Sequence, residues 1–257
     1  MTGCPDANQL ALLAEGELSA DARVELERHL DDCEACAQVV GALGALIVPG
    51  APARYRMERR LGEGGMGVVW EAFDQELERP VALKWIQVSG DGDGERRARL
   101  VREARVLARL RHPNVIAVHD AGIEGDEVWV ALELIRGQTA RAWRAAAPRT
   151  ADQIVALWRA AADGLIAVHA AGVVHRDVKP DNVLVAEDGL VVVADFGLAA
   201  APVAPAEILT AAGEVLGTPA YMAPEQLRGD AVDARADQFA WCACLWEALA
   251  GQRPFTG

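Results

Sequence analysis

Lysine is almost missing from this 257-residue chain, which has only Lys84 and Lys179 beside 23 arginines. Because arginine serves wherever a generic positive charge is enough, these two lysines indicate sites that need a compact ammonium group. Positive net charge is missing as well, since the formal charge is −13. This excess of acid argues against nucleic acid or an anionic membrane surface as the main partner.

Long apolar runs and targeting signals are also lacking. The longest apolar run of the N-terminal part covers residues 39–49, which is too short to cross a bilayer. The chain does not open on a basic segment followed by an apolar one, as a secretory signal would. We therefore expect a cytoplasmic protein without a membrane segment. Hydrophobic residues make up 52% of the chain, which is enough for a sizeable core.

One stretch near the middle concentrates the chemistry. It begins with the residues 175–182, His-Arg-Asp-Val-Lys-Pro-Asp-Asn, and two apolar runs then flank a turn at residues 187–189, Glu-Asp-Gly. Apolar runs around an Asp-Gly turn predict a β-hairpin. A hairpin brings its ends together, so Asp177, Asn182 and Asp195 should converge. Their oxygens suit a hard cation such as Mg²⁺, and Lys179 adds a positive charge beside them.

This stretch resembles the catalytic segments of protein kinases, H-R-D-x-K-x-x-N followed by D-F-G. The resemblance implies that Asp177 orients the substrate hydroxyl or accepts its proton, and that Lys179 steadies the transferred phosphoryl group. It also implies that Asn182 and Asp195 hold Mg²⁺. A lysine two residues after the aspartate is typical of serine/threonine kinases. Arg176 suggests control by a phosphate on the activation loop.

Glycines at residues 62–67 lie between two strand-like runs, in a G-x-G-x-x-G pattern that lets backbone amides approach phosphate. Alone this pattern is weak evidence, but residues 80–84, Pro-Val-Ala-Leu-Lys, follow it. The order resembles the glycine-rich loop and lysine strand of kinases, with Lys84 on the α- and β-phosphates of ATP. The ATP contacts so implied are Leu61, Gly62, Gly64, Gly67, Val69, Ala82 and Lys84.

A helix over about residues 95–111 is predicted, because Leu100, Ala104 and Leu107 form an apolar stripe at helical spacing. Glu103 lies on the same face and should point inward. An inward-facing acid needs a partner, and the kinase resemblance makes Lys84 that partner. The alternative is a border glutamate paired with a nearby arginine. A strand over residues 128–135 follows. By position in the family, Leu132 would be the gatekeeper, and Glu133 to Ile135 the hinge that meets adenine.

Apolar residues at helical spacing predict a long buried helix that leads into His175. They are Ile154, Leu157, Trp158, Ala161, Leu165 and Val168.

The loop at residues 198–217 has a single hydroxyl, that of Thr210. Thr210 is therefore the candidate for regulatory phosphorylation, although a plain solvated threonine is an equal alternative. Thr218 resembles the substrate-facing threonine of the family. Residues 223–225, Ala-Pro-Glu, match the A-P-E element. Asp237 opens an apolar helix and should hydrogen-bond the backbone near His175.

The first 48 residues hold nine acids, two bases and a group of metal-ligand residues. A helix over about residues 20–32 would place His29 and Cys33 on one face, Cys36 completes a C-x₂-C pair, and Cys4 can return as a fourth ligand. Such a set suits tetrahedral Zn²⁺. It resembles the zinc-binding domain of bacterial anti-sigma factors. Its role would be either to contact a partner protein or to sense redox state or zinc, and the sequence favours neither. The alternative is an acidic helical hairpin with incidental cysteines.

We therefore expect an α+β, two-lobed kinase fold at residues 55–257, preceded by a small helical zinc-binding domain (1–48) and a linker (49–54). The N-lobe should end near residue 135, and the last helices of the C-lobe are expected to be absent. The function implied is a bacterial serine/threonine kinase that uses ATP and Mg²⁺. One alternative is a truncated, non-catalytic scaffold. Another is a small-molecule phosphotransferase, which the peptide-handling element at residues 217–225 disfavours.

Overall fold

The structure is a computed structural model. It describes residues 4–5, 29, 33, 52, 54–64, 67–87, 93–125, 127–196 and 219–255. The predicted metal ligand Cys36, the candidate phosphorylation site Thr210, the predicted substrate-facing Thr218 and the predicted loop at 198–217 lie outside these residues.

An antiparallel five-stranded sheet forms the first part of the kinase-like region. Its strands are β1 (Tyr55–Gly64), β2 (Gly67–Asp74), β3 (Arg79–Gln87), β4 (Val118–Glu124) and β5 (Glu127–Glu133). They lie side by side in the order β1-β2-β3-β5-β4. Strand β2 covers the strand-like run that follows the glycines, β3 includes the lysine strand at residues 80–84, and β5 corresponds to the strand predicted over residues 128–135.

The two faces of this sheet carry different sets of side chains, because neighbouring residues of a strand point to opposite faces. On β3, Ala82 and Lys84 face the helix side, whereas Val81, Leu83 and Trp85 belong to a separate buried apolar cluster on the opposite face. Helix α1 (Asp93–Leu107) packs against β4 and β5 on the inner side. Its buried residues are Leu100, Val101, Ala104 and Leu107.

The second part is mainly helical. It contains α2 (Ala140–Ala146), α3 (Ala151–Ala170), α4 (Pro224–Arg228) and α5 (Ala234–Ala250). A small sheet of β6 (Gly137–Thr139), β7 (Val183–Ala186) and β8 (Val191–Val193) packs against α3. Strands β7 and β8 form the predicted hairpin. The apolar residues predicted to line α3 are all buried, namely Ile154, Leu157, Trp158, Ala161, Leu165 and Val168.

Local sequence fixes where α3 begins. The Thr150 hydroxyl accepts a hydrogen bond from the Gln153 N–H, and the Gln153 side chain accepts one from the Thr150 N–H. This capping box satisfies backbone donors that have no partner inside the helix. The helix therefore begins at a set place and runs directly toward His175.

A buried ion pair ties the start of β1 to the rest of the sheet. Asp74 is fully buried at the end of β2, and Arg54 donates to both of its carboxylate oxygens at 2.7 and 2.6 Å. The Arg54 guanidinium also reaches Asp120 on β4 at 3.2 Å. The hydrogen bond from Arg54 lowers the pKa of Asp74 to about 2. The chain is thus held in a set direction as it leaves the linker.

Replacing Arg54 by Ala should lower the free energy of unfolding by roughly 3 kcal/mol at pH 7, since the Asp74 charge stays buried without its main partner. The lowered pKa of Asp74 stabilises the fold above its ordinary pKa of about 4, and this contribution disappears as the pH falls toward 2. The difference between wild type and variant should therefore shrink over that range. Urea denaturation followed by circular dichroism measures it.

Arg228→Ala is the matched control, because Arg228 pairs with Asp230 on an exposed surface. Such pairs contribute little to stability, so its loss should cost about 0.5 kcal/mol or less. An Arg54→Ala variant as stable as this control would show that the buried pair does not anchor β1.

Candidate active site

The segment between α3 and β7 is held by one buried carboxylate. Asp237, on α5, is 1% exposed, and its two oxygens accept the N–H groups of His175 and Arg176 at 2.7 Å each. The His169 ring, at the end of α3, lies 2.7 Å from the same carboxylate. The expected bond between Asp237 and the backbone near His175 is confirmed by this geometry.

Two site residues other than glycine have left-handed backbone conformations, Arg176 with φ 66° and Asp195 with φ 60°. Such conformations cost on the order of 1 kcal/mol each and persist only where other contacts enforce them. The Arg176 backbone is enforced from both sides, because its N–H binds Asp237 and its carbonyl accepts from the Gln226 side chain at 2.8 Å. The strained backbone at Arg176 and Asp195 therefore lies within the predicted active site.

The His175 side chain joins this segment to the hairpin. It is fully buried, and its Nε2 lies 3.0 Å from the Ala194 carbonyl, so that nitrogen carries the hydrogen. Its Nδ1 then accepts the N–H of Asp177 at 3.3 Å. The Phe196 ring packs against the imidazole with ring centroids 4.8 Å apart. The buried His175 ring thus fixes the backbone of Asp177 relative to the hairpin.

Asp177, Lys179 and Asn182 meet as the sequence predicts. The Lys179 ammonium donates to Asp177 Oδ2 at 2.7 Å, and the Asn182 amide donates to the same oxygen at 2.9 Å. The Asn182 amide also donates to the Asp177 carbonyl at 2.8 Å. Because these bonds fall on Oδ2, the other carboxylate oxygen is left to meet an incoming hydroxyl.

The hairpin brings Asn182 and Asp195 together. Residue Asn182 ends a 3₁₀ turn immediately before β7, and its carbonyl accepts the Ala194 N–H at 2.9 Å, one residue before Asp195. Both N–H bonds of the Asn182 amide point to Asp177, which leaves the amide oxygen for another partner. An amide oxygen beside a carboxylate is a donor set that fits Mg²⁺.

Lys84 forms an ion pair with Asp195 from the inner face of β3. The side chain of Lys84 is 7% exposed, so its ammonium group requires a carboxylate nearby. The predicted partner was Glu103, and this part of the prediction is wrong for the structure. Glu103 is half-buried on α1, and among the described residues Asp195 supplies the carboxylate to Lys84. A catalytic role of Glu103 stays a prediction.

The predicted nucleotide-binding residues share the face of the sheet that carries Lys84. Val69 pairs with Lys84 across β2 and β3, and Ala82 pairs with Leu132 across β3 and β5. Leu61 is 40% exposed near the tip of the β1–β2 hairpin. This face therefore offers an apolar wall with one ammonium group at its end, which suits a flat base followed by phosphates.

The predicted hinge, Glu133 to Ile135, begins at the last residue of β5. Glu133 is exposed, and its N–H donates to the Ala117 carbonyl at 2.9 Å, which occupies that donor. The N–H of Ile135 has no backbone acceptor within the described parts of the chain. In the predicted hinge, the Glu133 N–H is therefore occupied, whereas the Ile135 N–H is left for a ligand.

Of the two loop glycines Gly62 and Gly67, packing demands the second. Its φ is 133°, and a Cβ there would lie 1.8 Å from the Trp85 carbonyl oxygen on β3. At Gly62 a Cβ would meet no atom within 4 Å. Gly62 therefore borders open space, where backbone can approach a phosphate, whereas Gly67 lets β2 begin against β3.

In the N-terminal part, the described residues Cys4, His29 and Cys33 form one cluster whose ligand atoms all lie within 4.8 Å of one another. The two sulfur atoms are 3.9 Å apart, close to the roughly 3.8 Å separation that tetrahedral Zn–S bonds of about 2.3 Å produce. His29 Nε2 is buried without a hydrogen-bond partner. This set fits zinc, with Cys36 outside the described residues.

The sequence reasoning missed an ion-pair network beside the site. Arg141 on α2 binds the Asp181 carboxylate at 2.9 Å and the Tyr221 hydroxyl at 2.9 Å, and Tyr221 donates to Glu247 on α5. The Asp181 contact raises the pKa of Arg141, and burial together with Glu247 raises the pKa of Tyr221. No sequence spacing links these four residues, so only the fold could reveal them.

Comparison with known proteins agrees with this geometry. The profile of the protein kinase domain family matches residues 55–257, and that of a zinc-finger family matches residues 8–37, which include His29, Cys33 and Cys36 but not Cys4. The chain therefore belongs to the protein kinase family. The two-lobed α+β fold predicted from the sequence is confirmed.

Among its relatives is the serine/threonine-protein kinase PknL of Mycobacterium tuberculosis, which is 42% identical over 79% of this chain and 51% of that protein. PknE of the same organism is 41% identical over 79% of this chain and 36% of that protein. The crystal structure of the M. tuberculosis PknI kinase domain has a TM-score of 0.65 at 31% identity, and covers 82% of this chain and 78% of that one. The chain thus spans about half or less of the curated relatives' length.

Gly67→Ala should cost roughly 3 kcal/mol of unfolding free energy, because the added methyl group collides with backbone and the positive φ becomes strained. Gly62→Ala is the matched control, and it should leave stability within about 0.5 kcal/mol. Thermal and urea unfolding measure both variants. Equal stabilities would show that the start of β2 tolerates a side chain and that the Gly67 contact is not needed.

Proposed function

We propose that this chain is a serine/threonine protein kinase that transfers the γ-phosphoryl group of ATP to hydroxyls of other proteins in bacterial signalling. The observation that carries the proposal is the Asp177 carboxylate, held through Oδ2 by Lys179 and Asn182. Membership of the protein kinase family and the printed names of the relatives support the same activity.

Asp177 serves as the acceptor that orients the attacking hydroxyl. The serine or threonine oxygen forms the new bond to the γ-phosphorus while the bond from phosphorus to the bridging β–γ oxygen breaks. The hydroxyl proton passes to Asp177, and ADP leaves. Lys179 lies 2.7 Å from Asp177, where its ammonium group can balance negative charge on the moving phosphoryl group.

ATP is proposed to lie on the inner face of the sheet. The adenine would meet Val69, Ala82 and Leu132, with the Glu133 carbonyl accepting from its edge and the Ile135 N–H donating to it. The glycine loop from Leu61 to Gly67 would cover the phosphates. Lys84 would bind the α- and β-phosphates. Asn182 and Asp195 would hold Mg²⁺, which neutralises phosphate charge when bound.

The substrate class rests on Lys179 and on the segment that precedes α4. A lysine two residues after Asp177 is typical of serine/threonine kinases, and Thr218 is proposed to face the acceptor hydroxyl. Thr210 is proposed as a phosphorylation site that would pair with Arg176. Both threonines lie outside the described residues.

We also propose that residues 1–48 form a zinc-binding domain that recognises a protein partner, joined through residues 49–54 to the kinase domain. Cys4, His29, Cys33 and Cys36 would be the zinc ligands. No helix among the described residues could cross a membrane. A cytoplasmic location is proposed from the sequence composition.

Radiolabelled transfer from Mg·ATP by the 257-residue chain, to itself and to a generic protein substrate, tests the activity. Asp177→Asn should lower the transfer rate by about 10²- to 10⁴-fold, because a neutral amide cannot accept the proton. Binding of a fluorescent ATP analogue should change little. Lys84→Met should instead weaken nucleotide binding as well as transfer.

Asp163→Asn is the matched control, since Asp163 is exposed on α3 away from the site, and its transfer rate should equal that of the wild type. Wild-type transfer by Asp177→Asn would contradict the assignment. A folded wild-type chain that binds Mg·ATP without transfer would support the alternative, a non-catalytic scaffold.

Protein purified under reducing conditions without chelator should contain about one zinc ion per chain by elemental analysis. Cys4→Ser and Cys33→Ser should each lose most of it, because three ligands bind zinc far more weakly than four. Cys242→Ser, an exposed cysteine on α5, is the control and should keep its zinc. A metal-free wild type would remove the zinc proposal. Full zinc content in Cys4→Ser would exclude Cys4 as a ligand.

A further inference from the structure

An arginine outside the proposed catalytic set holds the turn that carries Asn182. Arg141, on α2, donates from Nε and Nη2 to both oxygens of the Asp181 carboxylate, at distances of 2.9 to 3.0 Å. Asp181 directly precedes Asn182 in the 3₁₀ turn Pro180–Asn182. Because the guanidinium group is a planar fork, such a two-point bond fixes the direction of the carboxylate as well as its distance.

The turn depends on contacts with other elements. It begins with a proline, which has no N–H, and the Lys179 side chain before it does not cap the turn. The Asn182 N–H bonds to the Lys179 carbonyl at 3.0 Å, which is a bond inside the turn. The Asn182 carbonyl accepts the Ala194 N–H from the hairpin at 2.9 Å. The hairpin therefore fixes the backbone of the turn from one side, and Arg141 fixes the Asp181 side chain from the other.

Other parts of the C-lobe hold the Arg141 side chain in place. Its Nη2 also donates to the Tyr221 hydroxyl at 2.9 Å, and its Nη1 lies 3.7 Å from Glu247 on α5. Tyr221 is 2% exposed and donates to Glu247 in turn. Arg253 lies 3.7 Å from the same glutamate, with its guanidinium group 5.5 Å from the centre of the Tyr221 ring. The Arg141 fork is thus preorganised toward Asp181.

Stability alone does not account for this arrangement. The side chains of Arg141 and Asp181 are 41% and 42% exposed, and ion pairs at such exposure contribute little to folding because water screens them. Orientation matters more at the next residue. Both N–H bonds of the Asn182 amide point to Asp177, so the direction of its free oxygen follows the position of the turn.

We propose that Arg141 is a positioning residue, which acts through Asp181 to hold the turn so that the Asn182 amide oxygen faces the magnesium site. The inference rests on the proposed function, because it takes Asn182 as a ligand of Mg²⁺. Groups that orient a metal ligand affect metal binding by about 10- to 100-fold when they are lost. Arg141 therefore extends the site to α2 and, through Tyr221 and Glu247, to α5.

The gain in nucleotide affinity that Mg²⁺ confers tests this without phosphate transfer. It is the ratio of two dissociation constants of a fluorescent ATP analogue for the 257-residue chain, one measured in EDTA and one in excess Mg²⁺. Arg141→Ala should lower this ratio by about tenfold, as Asn182→Ala should, and leave the affinity in EDTA unchanged. A ratio that Asn182→Ala lowers and Arg141→Ala does not would overturn this inference alone. A wild-type ratio of one would overturn the magnesium site at Asn182 and this inference with it.

Arg144→Ala is the matched control. Arg144 also lies on α2 and ties that helix to α5, since its Nε donates to the Ala248 carbonyl at 3.1 Å. Anchoring of α2 in general would make the two variants behave alike, whereas we expect Arg144→Ala to keep the wild-type ratio. An equal loss in both variants would overturn the proposal. Thermal unfolding followed by circular dichroism verifies that both are folded.

A double-mutant cycle tests whether Arg141 acts through Asp181. Asp181→Ala should lower the ratio about as much as Arg141→Ala does. The double variant should also lose about tenfold rather than about a hundredfold, because both changes break the same bond. Losses that multiply would show that the two side chains act separately, and would overturn the proposal. Asp181→Ala leaves α2 unaltered, so its ratio decides the matter even where Arg141→Ala fails to fold: a wild-type ratio in Asp181→Ala would overturn the proposal.

Discussion

The buried carboxylate of Asp237 is the constraint on which the active site depends. It accepts two successive backbone N–H groups, from His175 and Arg176, and lies against the His169 ring. These bonds enforce the left-handed backbone at Arg176 and so turn the chain toward the hairpin. His175 then fixes the peptide of Asp177, and Asp177 organises Lys179 and Asn182. Helix α5 thus positions the proposed catalytic groups, which it does not itself carry.

Strand β3 separates two buried clusters. Its alternation places Ala82 and Lys84 on the helix side of the sheet and Val81, Leu83 and Trp85 in the apolar cluster of the opposite face. Because the Lys84 ammonium group is buried, it must keep a carboxylate, and Asp195 on the hairpin provides it. The two lobes are joined electrostatically at that point.

Much of the fold was predictable, since it rests on local signals. The Asp-Gly turn predicted the hairpin, apolar periodicity predicted α3, and strand-like apolar runs predicted β2, β3 and β5. The bounds of α1 differ from the prediction: the helix covers Asp93–Leu107 rather than residues 95–111. The predicted pair of Lys84 with Glu103 failed, because helical periodicity says which face of α1 is buried but not how far that face lies from β3.

The sequence by itself determined the family, the identity of the chemical groups and their order, because each motif is a short run whose spacing carries its meaning. It also identified Cys4, His29 and Cys33 as candidate ligands, which the structure brings into one cluster. The tertiary structure alone decided which carboxylate meets Lys84, how Arg141 joins Asp181 to Tyr221, and that the aromatic face of the sheet is buried. Those contacts join residues that lie 40 to 111 positions apart, so they depend on how whole elements pack rather than on any local pattern.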